Sequence, residues 1–425
     1  RRSTPGSRSR GFGTSDARAR DPGSGRAREL AAGLRGGEDG LERVRSLARL
    51  GSTAIGLDID RGAIKAVQVS YRRGEYTLRH VGYHRLPPGT IVDGEVADDR
   101  LLAEELSEFW DAHAFEGKSV FLGLSNQKVV VRMLEFPPMS PEDLEGAIGF
   151  EAAEHIPMPP EEAVLDHVVV GPRGEPGEGD RVLVVAAQRE MVGRYTEALR
   201  AGGLRAEGID VKALALTRSA SPGAFFADGG ATVLLDVGGE ISNLVVAEGE
   251  VPVMARFVPL GLSDFVAAVA EAADLPDDEA ERRTLDPRGG LVDEPRKGDP
   301  EAGDPEAGGP EDVDTEGDAW DPALAYDARR GLEAAAGELA EEVQRSVDHH
   351  HAQPGAREVS RVVVSGEGAL ISGLDSHLGE LLGLPAQLAR PAERLAYNRS
   401  NVSDEQLRAM EPVLTVALGL AMEEA

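Results

Sequence analysis

One local plan occurs twice in this sequence, and the repetition restricts the folds open to the chain. Ile55–Val69 reads I-G-L-D-I-D-R-G-A-I-K-A-V-Q-V, and Val233–Ala247 reads V-L-L-D-V-G-G-E-I-S-N-L-V-V-A. In each, an apolar run closes on an aspartate, a glycine-bearing turn follows, and a second apolar run returns, which is the pattern of two buried strands joined by a hairpin. Either stretch alone is equally an ordinary core hairpin with a solvated turn. As a pair, with Asp58 and Asp236 as counterparts, they suit two duplicated lobes that clamp a nucleotide. A carboxylate at each strand end can hold Mg²⁺ through water while backbone N–H groups of the turns face phosphates.

At 425 residues the chain exceeds the usual single-core domain, so two lobes are expected. It contains no cysteine, which removes disulfides, thiolate metal sites and thiol nucleophiles. A formal net charge of −30 disfavours broad contact with nucleic acid or an anionic bilayer. No run approaches the roughly 20 apolar residues of a membrane span, and the start lacks the apolar core of a signal peptide. A cytoplasmic protein is expected. Residues 1–51 are arginine-rich among Gly, Ser and Pro, a composition that reads as a disordered basic leader.

After the first hairpin, periodicity predicts a strand at Tyr76–Leu86 and a helix over Asp98–Ala112 with Leu101, Leu102, Leu106, Phe109 and Trp110 on one face. Strands at Ser119–Leu124 and Lys128–Phe136 precede a helix at Pro141–His155, which has Pro at its start and acids in its first turn. Strands at Ala163–Val170 and Arg181–Ala187 flank a turn rich in Gly, Pro and Glu, and Glu190–Ala201 is a helix ended by Gly202 and Gly203. The second hairpin leads to a strand at Val251–Val258 and a helix at Ser263–Ala273 with Ser263 as N-cap. From 276 to 320 the residues are mainly Asp, Glu, Gly and Pro, a disordered acidic insertion. Helix Leu324–His351, strand Arg361–Ser365, helix Leu370–Leu382 and a last helix at 404–422 complete an α/β alternation.

Here the chain resembles the PilM family of type IV pilus assembly proteins, in the PilM and FtsA branch of the actin-like ATPase superfamily. The resemblance is carried by L-E-F-P-P-M-S-P-E-D-L-E-G-A-I-G-F-E-A-A-E-H-I-P-M-P (Leu134–Pro159), with Ala201–Leu216, Glu342–Asp348 and Ser365–Leu374 following in the family's order. It implies a bilobed actin-like fold of the duplicated ribonuclease H type, with an αβ subdomain inserted in lobe one. Lobe one would comprise 52–86 and 170–228, the inserted subdomain 87–169, and lobe two 229–425, its last helix returning to lobe one.

By that resemblance three loops meet ATP and Mg²⁺. The first brings Asp58, Arg61, Gly62 and Lys65; the second Asp236, Gly238, Gly239, Ser242 and Asn243; the third, around the adenosine, Gly366 and Gly368. Asp58 and Asp236 would hold Mg²⁺ through water. The second loop keeps its glycines. The first has Asp60 and Arg61 where the family has glycine and a hydroxyl residue, and the third has Glu367 in place of a glycine. Both changes put carboxylates toward phosphate, with nothing adjacent in sequence to offset Glu367, so weak or absent ATP binding is expected.

The same resemblance implies a scaffold that takes the cytoplasmic tail of a PilN-like bitopic membrane protein and couples it to the pilus motor platform. The protein would then be peripheral to the inner face of the cell membrane, reaching it only through partners; self-association is a further partnership to consider. The tail would enter a cleft between the inserted subdomain and lobe one, lined by Val129, Val131, Met133, Phe136, Ile148 and Ile156, residues that are also natural core positions. Two other readings compete. An active Mg-ATPase requires intact phosphate loops; an FtsA-like filament protein requires an amphipathic membrane helix beyond the fold, and none is read before Ala425. His349, His350 and His351 do not suggest a metal site, because helical neighbours point about 100° apart.

Overall fold

The structure is a computed structural model and describes residues 53–172, 179–220, 229–286, 290–291 and 322–422. The basic leader, most of the acidic insertion and the turn between Pro172 and Gly179 lie outside the described residues.

Both predicted hairpins form. Strands β1 (Thr53–Ile59) and β2 (Ala63–Arg72) pair so that Asp58 stands opposite Lys65. Strands β11 (Ala231–Val237) and β12 (Ser242–Glu248) pair so that Asp236 stands opposite Asn243. All four strands are buried on both faces, which is why they read as near-continuous apolar runs.

Around each hairpin the same sheet is built. In lobe one, β3 (Glu75–Arg85) flanks β2, while β6 (Ser119–Leu124) and β10 (Arg205–Val211) extend the other side in parallel; β16 (Leu395–Asn398) adds an outer strand beside β3. In lobe two, β13 (Val251–Val258) flanks β12, and β14 (Val359–Ser365) and β15 (Ala386–Leu388) extend the far side in parallel. The order β3-β2-β1-β6-β10 thus matches β13-β12-β11-β14-β15, two antiparallel pairings followed by two parallel ones. The duplication seen in two short stretches extends to whole lobes.

Helices cover the faces. In lobe one, α1 (Asp99–Ala112) and α3 (Arg189–Ala201) bury Leu102, Leu106, Phe109 and Leu199 against the sheet. Asp98 caps α1 by accepting the Leu101 N–H at 2.9 Å. In lobe two, α5 (Leu262–Ala273), α7 (Pro322–His351) and α8 (Leu374–Leu382) bury Phe265, Leu332, Leu339 and Leu378. Between the two sheets lie α4 (Lys212–Ser219) and α10 (Thr415–Ala421), whose apolar residues share one cluster with Val67 and Val69 of lobe one and Leu234 and Val245 of lobe two. Close approach here depends on glycine. A Cβ on Gly56 would lie 2.0 Å from the Ala417 carbonyl oxygen, and one on Gly419 would lie 2.0 Å from that of Ala215.

The inserted subdomain has bounds other than those expected. β6 and α1 belong to lobe one, because β6 pairs in parallel with both β1 and β10. The subdomain is instead β7 (Val129–Phe136), α2 (Pro141–His155), β8 (Ala163–Pro172) and β9 (Asp180–Gln188), a small sheet of order β7-β9-β8 with α2 on one face. Parallel pairing between distant strands leaves no local mark in sequence, whereas the hairpin partner β9 follows β8 directly.

Three smaller expectations also change. The acidic stretch does not begin at 276, since α6 (Asp277–Thr284) carries acids in its first turn and arginines in its last and buries Ala280. Ser263 is not the cap of α5; the chain enters at Gly261, whose N–H donates to Asp264 Oδ2 at 2.8 Å. The last helix is two, α9 (Asp404–Met410) and α10, separated by a turn that contains Pro412.

Candidate functional site

The two hairpin turns meet in the cleft between the lobes, together with the turn after β14. Asp58, at the end of β1, is buried and ends between two ammonium groups. Lys65 Nζ is 3.0 Å from Oδ2 and Lys212 Nζ is 2.6 Å from Oδ1. The second contact is an ion pair by distance, although its angle falls outside hydrogen-bond geometry. Lys212 also donates to the Ile59 carbonyl at 3.0 Å, which locks the start of α4 to the end of β1. Burial by itself would raise the Asp58 carboxyl, but the two lysines outweigh it and bring it down to about 2. Lys65 behaves in the converse way: burial disfavours its charge, yet Asp58 and Glu367 raise its pKa well above the usual lysine range.

Glu367 therefore has an offset after all. Nothing adjacent in sequence relieves it, but Lys65 Nζ of the other lobe lies 3.3 Å from Glu367 Oε1 across the cleft. Since that ammonium is shared with Asp58, burial still dominates at Glu367 and pushes its carboxyl up. Gly62 faces the same carboxylate: a Cβ there would lie 3.0 Å from Glu367 Oε2.

Two further links join the hairpins directly. Asp60 Oδ2 accepts the Gly239 N–H at 3.2 Å, and Arg61 Nε pairs with Glu240 Oε1 at 3.1 Å. A turn whose N–H groups suit an anion already has one from its own chain. Glu240 Oε2 in turn accepts the Asp93 N–H at 2.7 Å.

Asp236 differs from its counterpart. Its oxygens accept from Asn243 Nδ2 and Ser365 Oγ, both at 3.1 Å, and no ammonium group lies against it among the described residues. Burial, reinforced by the negative Asp58, pushes its carboxyl up to about 6. Asn243 also accepts from Ser125 Oγ of lobe one, and Ser242 Oγ turns away to the Leu260 carbonyl at 2.6 Å.

The glycines of the third loop serve packing. Gly366 has φ +86°, and a Cβ on it would meet the Val237 carbonyl oxygen at 2.4 Å; one on Gly368 would meet Val237 Cγ1 at 2.3 Å. Gly238 is likewise tight, its Cβ position being 2.5 Å from Asp60 Oδ2. The structure thus brings all three predicted loops together. It adds Asp60, Lys212, Glu240 and Glu367 to the residues that define the site. For Mg²⁺ to take Asp58, two ammonium groups would have to leave it.

The six candidates for the partner cleft are divided between two faces of the subdomain sheet. Val129, Val131 and Met133 alternate onto the face that joins the lobe-one core, whereas Phe136, Ile148 and Ile156 are buried on the other face, under α2. The last three cannot line a cleft against lobe one, because the period of two in β7 sends Phe136 to the opposite side. Of the first three, only Met133 is partly exposed. Val164 and Val168 on β8, which the sequence reading did not single out, are 38% and 40% exposed. Register places Val168 and Met133 either side of Leu183, and Val164 and Val129 either side of Ala187, on the same face. The histidines of α7 engage backbone: His350 Nε2 lies 2.9 Å from the Arg357 carbonyl, and His351 Nε2 accepts the Val359 N–H at 3.1 Å.

Two lobes with matching strand connections, each presenting an aspartate-ended hairpin to a shared cleft, define the bilobed actin-like class. Within it, the chain belongs to the family described as type IV pilus assembly protein PilM, whose model matches residues 56–288 and 329–425. A solved structure of a PilM-PilN type IV pilus biogenesis complex aligns with a TM-score of 0.71 at 29% identity, covering 88% of this chain and 98% of that one. The ethanolamine utilization protein EutJ from Carboxydothermus hydrogenoformans (14% identity, TM-score 0.48, 89% of this chain and 94% of that one) is too distant to inform function. So is ADP-bound MreB5 of Spiroplasma citri (13%, 0.47, 88% and 96%).

Proposed function

We propose that this chain is a scaffold of type IV pilus assembly that receives the cytoplasmic tail of a PilN-like bitopic membrane protein, and that it does so without depending on ATP. The observation that carries the first half is the alignment over 98% of a chain from a PilM-PilN complex. Contact with the membrane comes through that partner, on the cytoplasmic side, with the motor platform next in line; among the described residues no helix is long and apolar enough to cross a membrane.

The docking face is the side of β8 and β7 toward lobe one. β8 is an edge strand of its sheet, with half-exposed Val164 and Val168 on the same face as Met133, across β9 from it. An extended peptide can add to such an edge, taking affinity from main-chain hydrogen bonds and register from alternate apolar side chains. A synthetic tail peptide is expected to bind, and Met133→Glu and Val168→Glu each to weaken it at least tenfold with the fold retained, the thermal transition moving more for Met133→Glu because Met133 packs against the lobe-one core. Normal binding by both variants sinks the assignment of this face.

The second half rests on the cleft. As placed, its groups do not fit Mg-ATP: Asp58 is held by two lysines, the Gly239 N–H is taken by Asp60, and Glu367 brings a buried carboxylate to the same space. Asp60→Gly with Arg61→Ser and Glu367→Gly removes the internal anion and leaves Lys65 with Asp58 as its one carboxylate partner among the described residues, so that phosphate can take the place of Glu367. ATP titration of that variant is expected to show at least tenfold tighter binding than the natural protein, with peptide binding retained. Micromolar ATP affinity in the natural protein, lost in the variant, would show instead that Asp60, Arg61 and Glu367 form a working nucleotide site.

A further inference from the structure

On the outward face of the lobe-one sheet, at the β2–β3 turn and so at the opposite end of β2 from the β1–β2 turn of the cleft, a surface groove of about 520 Å³ is lined by Arg72, Arg73, Arg79 and Arg399, with Glu75 and Tyr397. Four guanidinium groups against one carboxylate leave a local excess of positive charge in a chain whose formal net charge is −30. Among the described residues none of these arginines has a carboxylate partner. Among the described residues Glu75 is the one acid that lines the groove, while acidic residues are abundant elsewhere.

The backbone around the groove is irregular at three places. Arg73 has φ +55° in the turn Arg73-Gly74, a two-residue hairpin position that asparagine or glycine fills more comfortably. Arg79 is the extra residue of a β-bulge, since Gln68 pairs with His80 and Val69 with Leu78. Ala396 is bulged in β16 between partners Leu395↔Tyr76 and Tyr397↔Thr77, which turns the Tyr397 ring onto the groove face. Arg79 is then held by a 2.9 Å hydrogen bond from Nε to Ser70 Oγ, and Arg399 stacks over Tyr397 at 5.6 Å. Strained and bulged backbone clusters where side chains are aimed at a ligand.

We propose that this groove is a binding site for a phosphorylated small molecule of nucleotide type, separate from the interlobe cleft. Guanidinium forks match phosphate oxygens in bidentate geometry. Tyr397, 50% exposed, offers a ring face on which a base can stack. The groove's size falls in the usual range for small-ligand sites, and its excess of three positive charges over Glu75 complements a nucleoside diphosphate. The site lies at the opposite end of β2 from the Asp60–Gly62 turn, so its occupation requires no opening of the cleft.

The test uses the full chain and ADP in magnesium-free buffer at low salt, with a photoreactive azido-ADP to report position. Calorimetry is expected to show binding that weakens as KCl rises, with the label mapped to the peptide containing Leu395–Arg399. Arg72→Gln with Arg399→Gln should weaken ADP at least tenfold, while Arg100→Gln on the surface of α1 should not. Circular dichroism confirms that these exposed changes leave the fold intact. Labelling of Gly238–Asn243, or equal affinity in the double variant, would overturn the site. Absence of ADP binding overturns it too, including when an acidic peptide or phosphatidylglycerol vesicles bind through the same arginines, which would make the groove a protein or membrane contact.

Discussion

Replacing Lys65 by methionine is the sharpest test of how the lobes are joined, because one buried ammonium serves a carboxylate from each. At an effective dielectric near 20, a unit charge pair at the observed 3.3 Å separation from Glu367 attracts by about 5 kcal/mol, and the 3.0 Å contact with Asp58 is of the same size. Part of that gain is cancelled by desolvation of the ions, so the net loss on removing one partner of such a buried pair is about 3–5 kcal/mol. This is a large fraction of the roughly 5–15 kcal/mol that holds a typical protein folded. Methionine keeps the volume, so the loss reports charge. Asp58 retains Lys212, but Glu367 is left buried without its cation. Adding Glu367→Gln to Lys65→Met removes that orphan charge and is expected to restore at least half the loss. Urea denaturation of the four species gives the coupling energy directly. Additive single and double losses, or a Lys65→Met variant within about 1 kcal/mol of the natural protein, would refute the claim that Lys65 bridges the lobes.

Asp236 provides a pH test with a definite sign. Its carboxyl is raised in the folded state from 3.8 to about 6, so its contribution is fully present below pH 3.8 and is lost as pH rises through 6. A shift of that size corresponds to about 3 kcal/mol at neutral pH. Asp236→Asn is therefore expected to stabilise the protein at pH 7.5 and to flatten the stability profile between about pH 4 and 6; an unchanged profile sinks the assignment. Gly56→Ala should be severe, because its Cβ would sit 2.0 Å from the backbone oxygen of Ala417 and cannot be relieved by a rotamer change. A loss of more than about 3 kcal/mol is expected, of the size that backbone strain and lost packing produce; a near-neutral result in thermal unfolding would mean that α10 does not press on β1 as described.

Much of the fold could be read from the chain because its signals are local. Both hairpins follow from apolar runs, α1, α3, α5 and α7 from apolar spacing and α2 from the proline and acids of its first turn, and the doubling of the Asp-turn plan points to duplicated lobes. What could not be read depends on pairing across distance. β10 alternates only weakly and forms because it extends β6, and β16 is a short run that gains its place from β3. The site divides in the same way. Asp58, Asp236 and the glycines stand in recognisable turns, whereas Lys212 is a lysine at the start of a helix, with no local mark of its contact with Asp58. Glu367 looked like an unrelieved charge because its partner, Lys65, belongs to the other lobe. At the subdomain, alternation along β7 could have separated Phe136 from Val129, Val131 and Met133, but only the register of β8 with β9 shows that Val164 and Val168 share their face.

The placement of β16 and α10 also bears on how the molecule is made. Both are encoded after all of lobe two, yet β16 supplies the outer strand of the lobe-one sheet, and α10 covers Gly56 and shares a core with Val67 and Val69. As the chain leaves the ribosome, lobe one is synthesised first but waits for residues 395–421 before that sheet face is covered. Lobe two, by contrast, draws its sheet from contiguous later sequence and can close around its own core. Lobe one is therefore the part exposed longest to chaperones and to mispairing along β3, and a ribosome stalled before β16 would carry a nascent chain with an open strand edge.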